Sequence, residues 1–268
     1  MARVQANVAH RARRLGQTPR TFVNWPGVLA DMARGRHGRE SLTFRTRDGQ
    51  RISCPNVPGA RVPIYEVYAE DCYQLDWFLP ATARSPLRVL DIGAHVGAFA
   101  CRLAMLAPDA RIHCFEPSAT TARYLRDNVV ANGLADRIEI VAAAVSDHAG
   151  HATFADNGGG SALNGLVAGA SGDRVATQTF DDIVGRVGPV DLVKIDCEGG
   201  EYDAVLPSAP ASWESVQRVV LEYHPHAEHS WPQLRDWFAS AGLAVVREVS
   251  VTARQGTAWL RRSDAPAG

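Results

Sequence analysis

The sequence predicts an α/β fold in which helices cover a mostly parallel sheet, and three observations carry that reading. From Leu87 onward, short apolar runs alternate with helical stretches. One of these runs ends in an acid and turns through glycines into a helix, and the last two runs lie too close together to hold a crossover helix between them.

The elements follow in chain order. Residues 1–86 are broken by Pro19, Pro26, Pro55, Pro58, Pro63 and Pro80 and show no sustained strand–helix alternation, so they are expected to form an N-terminal cap. Arg3, Arg11, Arg13, Arg14 and Arg20 precede the first acid, Asp31, and read as a capping helix. Ser41–Phe44 and Gln50–Cys54 flank Asp48-Gly49, a hairpin signal, and Asp71–Phe78 has the spacing of a short amphipathic helix. Residues 87–262 form the principal domain, and 263–268 a tail. Strands are predicted at Arg88–Ile92, Arg111–Phe115, Ile138–Val145, Leu192–Ile195, Val219–Tyr223, Ala244–Val249 and Ala258–Arg261. Helices are predicted at Ala98–Ala107, Ala119–Ala131, Asp181–Val184, Glu201–Leu206 and Gln233–Ala241. The final strand follows its predecessor through Thr252–Gly256, so those two are expected to pair antiparallel.

A formal net charge of -1 over 268 residues gives no general attraction to nucleic acid or to a membrane surface, so the substrate is expected to be a small molecule held in a pocket. Cys54, Cys72, Cys101, Cys114 and Cys197 are odd in number and contain no C-x-x-C pair, which argues against a disulfide framework or a zinc site and fits a reducing cytoplasm. No apolar run is long enough to span a bilayer.

The run Val89-Leu90-Asp91-Ile92 leads into Gly93-Ala94-His95-Val96-Gly97. Gly93 lets backbone approach a ligand, and Gly97 permits close packing of helix on strand. The next strand ends in Glu116, twenty-five positions after Asp91, where an acid can accept hydrogen bonds from both hydroxyls of a ribose. A diphosphate-binding turn would have glycine where His95 stands, so a nucleoside without phosphates is favoured over a nicotinamide dinucleotide. Lys194, Asp196 and Glu198 end the fourth predicted strand, and Lys194 is the only lysine in a chain whose other basic residues are all arginine. That isolation points to a place where a forked guanidinium does not fit. Leaving the fifth strand are Glu222, His224, His226, Glu228 and His229; Pro225 breaks the ligand spacing, so no metal is assigned, and His224 is read as catalytic, as a general base, or substrate-contacting, with an ordinary polar loop as the alternative.

Through Asp91–Gly97, Phe115-Glu116-Pro117, Ala144-Val145-Ser146-Asp147 and above all Lys194-Ile195-Asp196-Cys197-Glu198-Gly199-Gly200-Glu201, the sequence resembles the FkbM family of methyltransferases. It departs from the usual family pattern at Cys197, where valine is common, and at Gly200, where alanine is. The resemblance implies a Rossmann-like class I methyltransferase fold, with a mostly parallel seven-stranded sheet and an antiparallel last strand. It also implies S-adenosylmethionine as cofactor. Asp91 and Gly93 would then line the methionine end, Glu116 the ribose, Ser146 and Asp147 the adenine, with Ala94, His95 and Gly97 also binding the cofactor. Asp196 would serve cofactor and chemistry together, with Lys194, Glu198 and His224 as catalytic residues. The implied reaction is O-methylation of a small secondary metabolite or glycoside; N- or carboxyl-methylation and a non-catalytic cofactor-binding protein are the alternatives. A homodimer is compatible with the reading.

Overall fold

The computed structural model describes residues 13–34, 39–57, 59–80, 86–156, 165–166 and 172–263. Residues 13–21 are helical (α1), and α2 spans Trp25–Arg34. Gly49, at φ 93°, turns strand β1 (Ser41–Arg45) into β2 (Arg51–Pro55), which pair antiparallel as the Asp48-Gly49 signal predicts. Two short helices follow, α3 (Val62–Tyr68) and α4 (Leu75–Phe78). The helix predicted over Asp71–Phe78 is therefore reduced to a single turn, because Asp71 and Gln74 both adopt positive φ and break the helical path.

The alternation from Leu87 onward becomes β3 (Arg88–Ile92), α5 (Ala98–Leu106), β4 (Arg111–Phe115), α6 (Ala119–Ala131) and β5 (Ile138–Val141). Ser118 caps α6 by accepting the Thr121 amide. The run predicted as one strand, Ile138–Val145, divides at Ala142; its second half, β6 (Ala143–Val145), leaves the main sheet. It joins β7 (Gly150–Ala155), β8 (Gly165–Leu166) and β9 (Asp173–Gln178) in a separate four-stranded sheet that the sequence reading did not anticipate. The sequence also predicts a mobile loop over the substrate at the glycine-rich patch Gly158–Gly160, which lies outside the described residues.

The chain returns through α7 (Phe180–Val187), β10 (Leu192–Ile195), α8 (Glu201–Val205), β11 (Arg218–Tyr223), α9 (Trp231–Ser240), β12 (Leu243–Thr252) and β13 (Gln255–Arg262). The main sheet has seven strands in the order β12-β13-β11-β10-β3-β4-β5. Neighbours from β11 to β5 are parallel, and β13 runs antiparallel to both β11 and β12. This is the Rossmann-like methyltransferase architecture. The last strand lies between β11 and β12, and the short β12–β13 connection allows only a hairpin, so β13 runs antiparallel to β12.

Each sheet face covers its own core. Val89 and Leu192 point to one face with α5, and Leu90, Ile92, Val193 and Ile195 point to the other with Phe180, Trp213 and Phe238. The cap belongs to the first core: Phe22, Phe44 and Tyr65, whose rings lie 4.8–5.8 Å apart, share it with Val89 and Phe99. Among the described residues, no helix is long and apolar enough to cross a membrane.

Candidate active site

The carboxyl ends of β3, β4, β10 and β11 open into a cavity of about 250 Å³, at the sheet edge where α/β folds take their ligands. Gly59, Val62, Pro63 and Glu66 of the cap wall it on one side, and Phe154 of β7 contributes from the second sheet.

The glycine turn after β3 is stitched to its neighbours. The Gly93 and Ala94 amides both donate to the Phe115 carbonyl at 3.0 Å, and the His95 amide donates to Glu116 Oε2 at 2.8 Å. These N–H groups are consumed in holding the loop, so Ala94, which is buried, offers none to a ligand. Gly93 has φ 76°, and a side-chain carbon placed there would lie 1.8 Å from the Asp196 carbonyl oxygen. A glycine is required on both counts. Gly97 plays a different part from the one predicted: its missing side chain makes room for Leu125 of α6, not for a strand.

Glu116 is buried at the cavity wall, with Oε1 accepting from the Ser118 amide and Oε2 from that of His95. Burial raises its carboxyl above the usual range, opposed by those hydrogen bonds. Each oxygen keeps lone-pair capacity for a ribose hydroxyl. Glu116→Ala is expected to weaken binding of S-adenosylhomocysteine by roughly 1.5–3 kcal/mol, as for hydrogen bonds to a charged group, with the fold retained. Calorimetry checks this, and an unchanged dissociation constant would limit Glu116 to securing the turn.

Lys194 and Asp91 lie behind the wall rather than in it. The Lys194 ammonium, 3% exposed, donates to the Gly93 carbonyl at 2.6 Å and stands 3.1 Å from Asp91 Oδ1. Burial alone would favour the neutral amine, but the charges of Asp91 and Asp196 outweigh it and raise its pKa. Neither Lys194, predicted for catalysis, nor Asp91, predicted at the methionine end, lines the cavity, and both support the glycine turn from behind.

The exit of β10 is where ionisable groups converge. Asp196, Cys197 and Glu198 line the cavity, and Glu198 holds φ 55°, uncommon for a residue with a side chain and frequent at functional sites. Across from them, His224 lies where β11 ends. Its Nδ1 is 2.7 Å from Glu201 Oε1, and its Nε2 is 3.5 Å from both Glu198 Oε2 and Glu222 Oε1. Burial would lower the imidazole pKa, but the bonds to Glu201 and Glu222 prevail and push it up to about 12. The ring is thus an imidazolium at neutral pH. His224, expected as a general base, is thus held among three acids, and a ring that carries its proton cannot accept another. Burial and the charge of Asp196 push Glu198 up to about 8, and burial and Glu222 do the same for Glu66.

Glu201, Glu222 and the cap residues Glu66 and Tyr73 were not among the predicted site residues. Glu201 and Glu222 stand within quoted motifs, so the signal was present. For Glu66 and Tyr73 only the fold brings the cap to β10. Ser146 and Asp147, expected at the adenine, border a separate crevice with Thr179 and Phe180, because the break at Ala142 carries them away with the second sheet. Pro117 and Phe154 instead link the main cavity to a neighbouring hollow that Ala142 lines. Asp196, Glu201 and His224 each bring one ligand atom within 4.8 Å of the others, a spacing a divalent cation could bridge. Glu201 Oε1 is already engaged by the Cys197 and Gly199 amides as well as His224.

The chemistry of this wall fits S-adenosylmethionine. Glu116 is placed for hydroxyls, and Asp196 presents a carboxyl suited to a ligand with a sulfonium and an ammonium. No lysine or arginine is among the described lining residues, and Glu66, Asp196, Glu198 and Glu222 crowd acids around the space a diphosphate would need.

Residues 91–243, more than half of the chain, match the model of the methyltransferase FkbM domain. A 2-O-methyltransferase, NoeI of Sinorhizobium fredii, is 30% identical over 50% of this chain and 62% of its own length. The 31-O-demethyl-FK506 methyltransferase FkbM of Streptomyces tacrolimicus is 26% identical over 68% and 81%. The antimetabolite synthetase AmbE of Pseudomonas aeruginosa is 27% identical over 66% of this chain, which spans only 10% of that protein. A SAM-dependent methyltransferase structure from Agrobacterium tumefaciens aligns with TM-score 0.49 and 14% identity over 84% of this chain and 70% of its own. With its strand order, its glycine turn and acid, and its family match in agreement, the chain belongs to the FkbM family of S-adenosylmethionine-dependent methyltransferases.

Proposed function

We propose that the enzyme methylates a hydroxyl of a small molecule seated between the cap and the carboxyl end of the sheet. The observation that carries this is the buried Glu201–His224 pair, whose ring faces the carboxyl groups of Glu198 and Glu222 on the cavity wall. Bound S-adenosylmethionine supplies an electrophilic methyl group on a sulfonium. Glu116 and Asp196 would hold the cofactor, and the cap would hold the acceptor. A hydroxyl must lose a proton as it attacks, and Glu198, raised to about 8, is a proton acceptor tuned for that task. His224 orients Glu198 and Glu222 and offsets part of their charge, while Glu201 fixes the ring. The names of NoeI and FkbM describe O-methyl chemistry in those relatives and support the same reading here.

The test is to supply cofactor carrying a carbon-13 methyl group together with fractionated small-molecule extracts, and to read the product by NMR, where an ether methyl separates from amine and ester methyls. A labelled amine would replace the reading with N-methylation. The Asp196–Glu201–His224 spacing favours a second reading, in which a divalent cation activates the hydroxyl. Under proton transfer to Glu198, EDTA leaves turnover unchanged. Loss on chelation with recovery on adding magnesium would establish the metal.

A further inference from the structure

Tyr73 belongs to the cap, more than a hundred residues from β10, yet its hydroxyl donates to Asp196 Oδ2 at 2.8 Å. The ring is 4% exposed and meets Phe99 of α5 edge-on at 5.4 Å, and the Lys194 ammonium stands 5.7 Å from its centroid. Its carbonyl accepts the indole N–H of Trp259 on β13 at 3.1 Å. On either side, Asp71 (φ 45°) and Gln74 (φ 51°) take left-handed conformations that side chains disfavour. Asp71 Oδ1 accepts the Leu75 amide, and the Cys72 amide donates to the Glu66 carbonyl, so this turn is held in place.

We propose that Tyr73 is a positioning residue for the transfer reaction, fixing the Asp196 carboxylate against the cofactor and thereby joining the cap to the cofactor site. A ring filling a core needs no hydroxyl, and phenylalanine would serve. Here the hydroxyl reaches the one cavity-lining acid whose own backbone carbonyl packs on Gly93, so the orientation of Asp196 and the course of the glycine turn are set together. Burial, reinforced by the charge of Asp196, keeps the phenol protonated and hence a donor. Lys194 secures the far side of the same turn through the Gly93 carbonyl. The inference concerns the cofactor side alone and is independent of whether the acceptor is a hydroxyl or an amine.

The experiment is a double-mutant cycle on the full chain with Tyr73→Phe, Asp196→Asn and the pair, measuring S-adenosylhomocysteine affinity by calorimetry and the unfolding midpoint of each variant. Tyr73→Phe is expected to weaken binding about tenfold, the scale of one charge-assisted hydrogen bond, with its midpoint close to that of the parent. The double variant is expected to bind no more weakly than Asp196→Asn alone. Unchanged affinity in Tyr73→Phe overturns the proposal, whether or not the midpoint falls. So does unchanged affinity in Asp196→Asn, and so do additive losses, which would mean that Tyr73 does not act through Asp196.

Discussion

Lys194→Met is expected to lower folding stability by about 3–5 kcal/mol, the range for removing one partner of a buried ion pair. The Asp91 side chain is fully buried, and the ammonium 3.1 Å away is the only cation paired with it among the described residues. Without it, Asp91 must stay charged with no counterion or take up a proton, and either costs free energy. The Gly93 carbonyl also loses its 2.6 Å donor, so the turn beneath the cofactor loosens. Lys194→Arg keeps the charge but must place a planar fork where a single nitrogen fits between Asp91, the Gly93 carbonyl and the Tyr73 ring. It is expected to fold with reduced stability and to lose most methyl transfer through weakened cofactor binding. Urea unfolding and calorimetry with S-adenosylhomocysteine separate the two effects, and Lys194→Met/Asp91→Asn should recover part of the stability lost in Lys194→Met. An arginine variant equal to the parent in stability and turnover would show that no compact ammonium is needed.

Glu198→Gln is expected to reduce turnover by about 10²–10⁴-fold, the usual contribution of a positioned proton acceptor, with little change in cofactor affinity. The pH dependence supplies the sign. A carboxyl pushed up to about 8 is protonated below that value and cannot accept the hydroxyl proton; above it, the carboxylate is ready. Turnover of the parent should therefore rise with pH, bend near 8 and level off, and the glutamine variant should lack that limb. The bend belongs to a group of interacting acids around His224, so Glu222→Gln should shift it rather than abolish it. A parallel fall in cofactor affinity would make Glu198 a cofactor ligand, and an unchanged limb would move the proton to another group.

The amino-acid sequence by itself determined the mostly parallel character of the sheet, its antiparallel last strand and the wall residues that stand at strand ends. Periodic apolar runs define β3, β4, β10 and β11, and in a parallel sheet their carboxyl ends lie along one edge, so Gly93, Glu116, Asp196, Glu198 and His224 were legible as neighbours before any coordinates. The short link before the last strand likewise dictated its antiparallel pairing. Tertiary structure alone decided what depends on contacts remote in sequence. Only packing put Lys194 behind the wall, because strand alternation assigns it a face but does not reveal what covers that face. Ala142 diverts Ser146 and Asp147 into a second sheet that pairs β6 with β9, some thirty residues away in sequence, which local pattern does not encode. The surroundings of His224 were hidden for the same reason: Glu201 and Glu222 reach its ring from different elements, and their convergence is a property of the fold. Tyr73 reaches Asp196 because the cap and the sheet bury a common apolar core, and that burial carries a cap hydroxyl to the cofactor's edge.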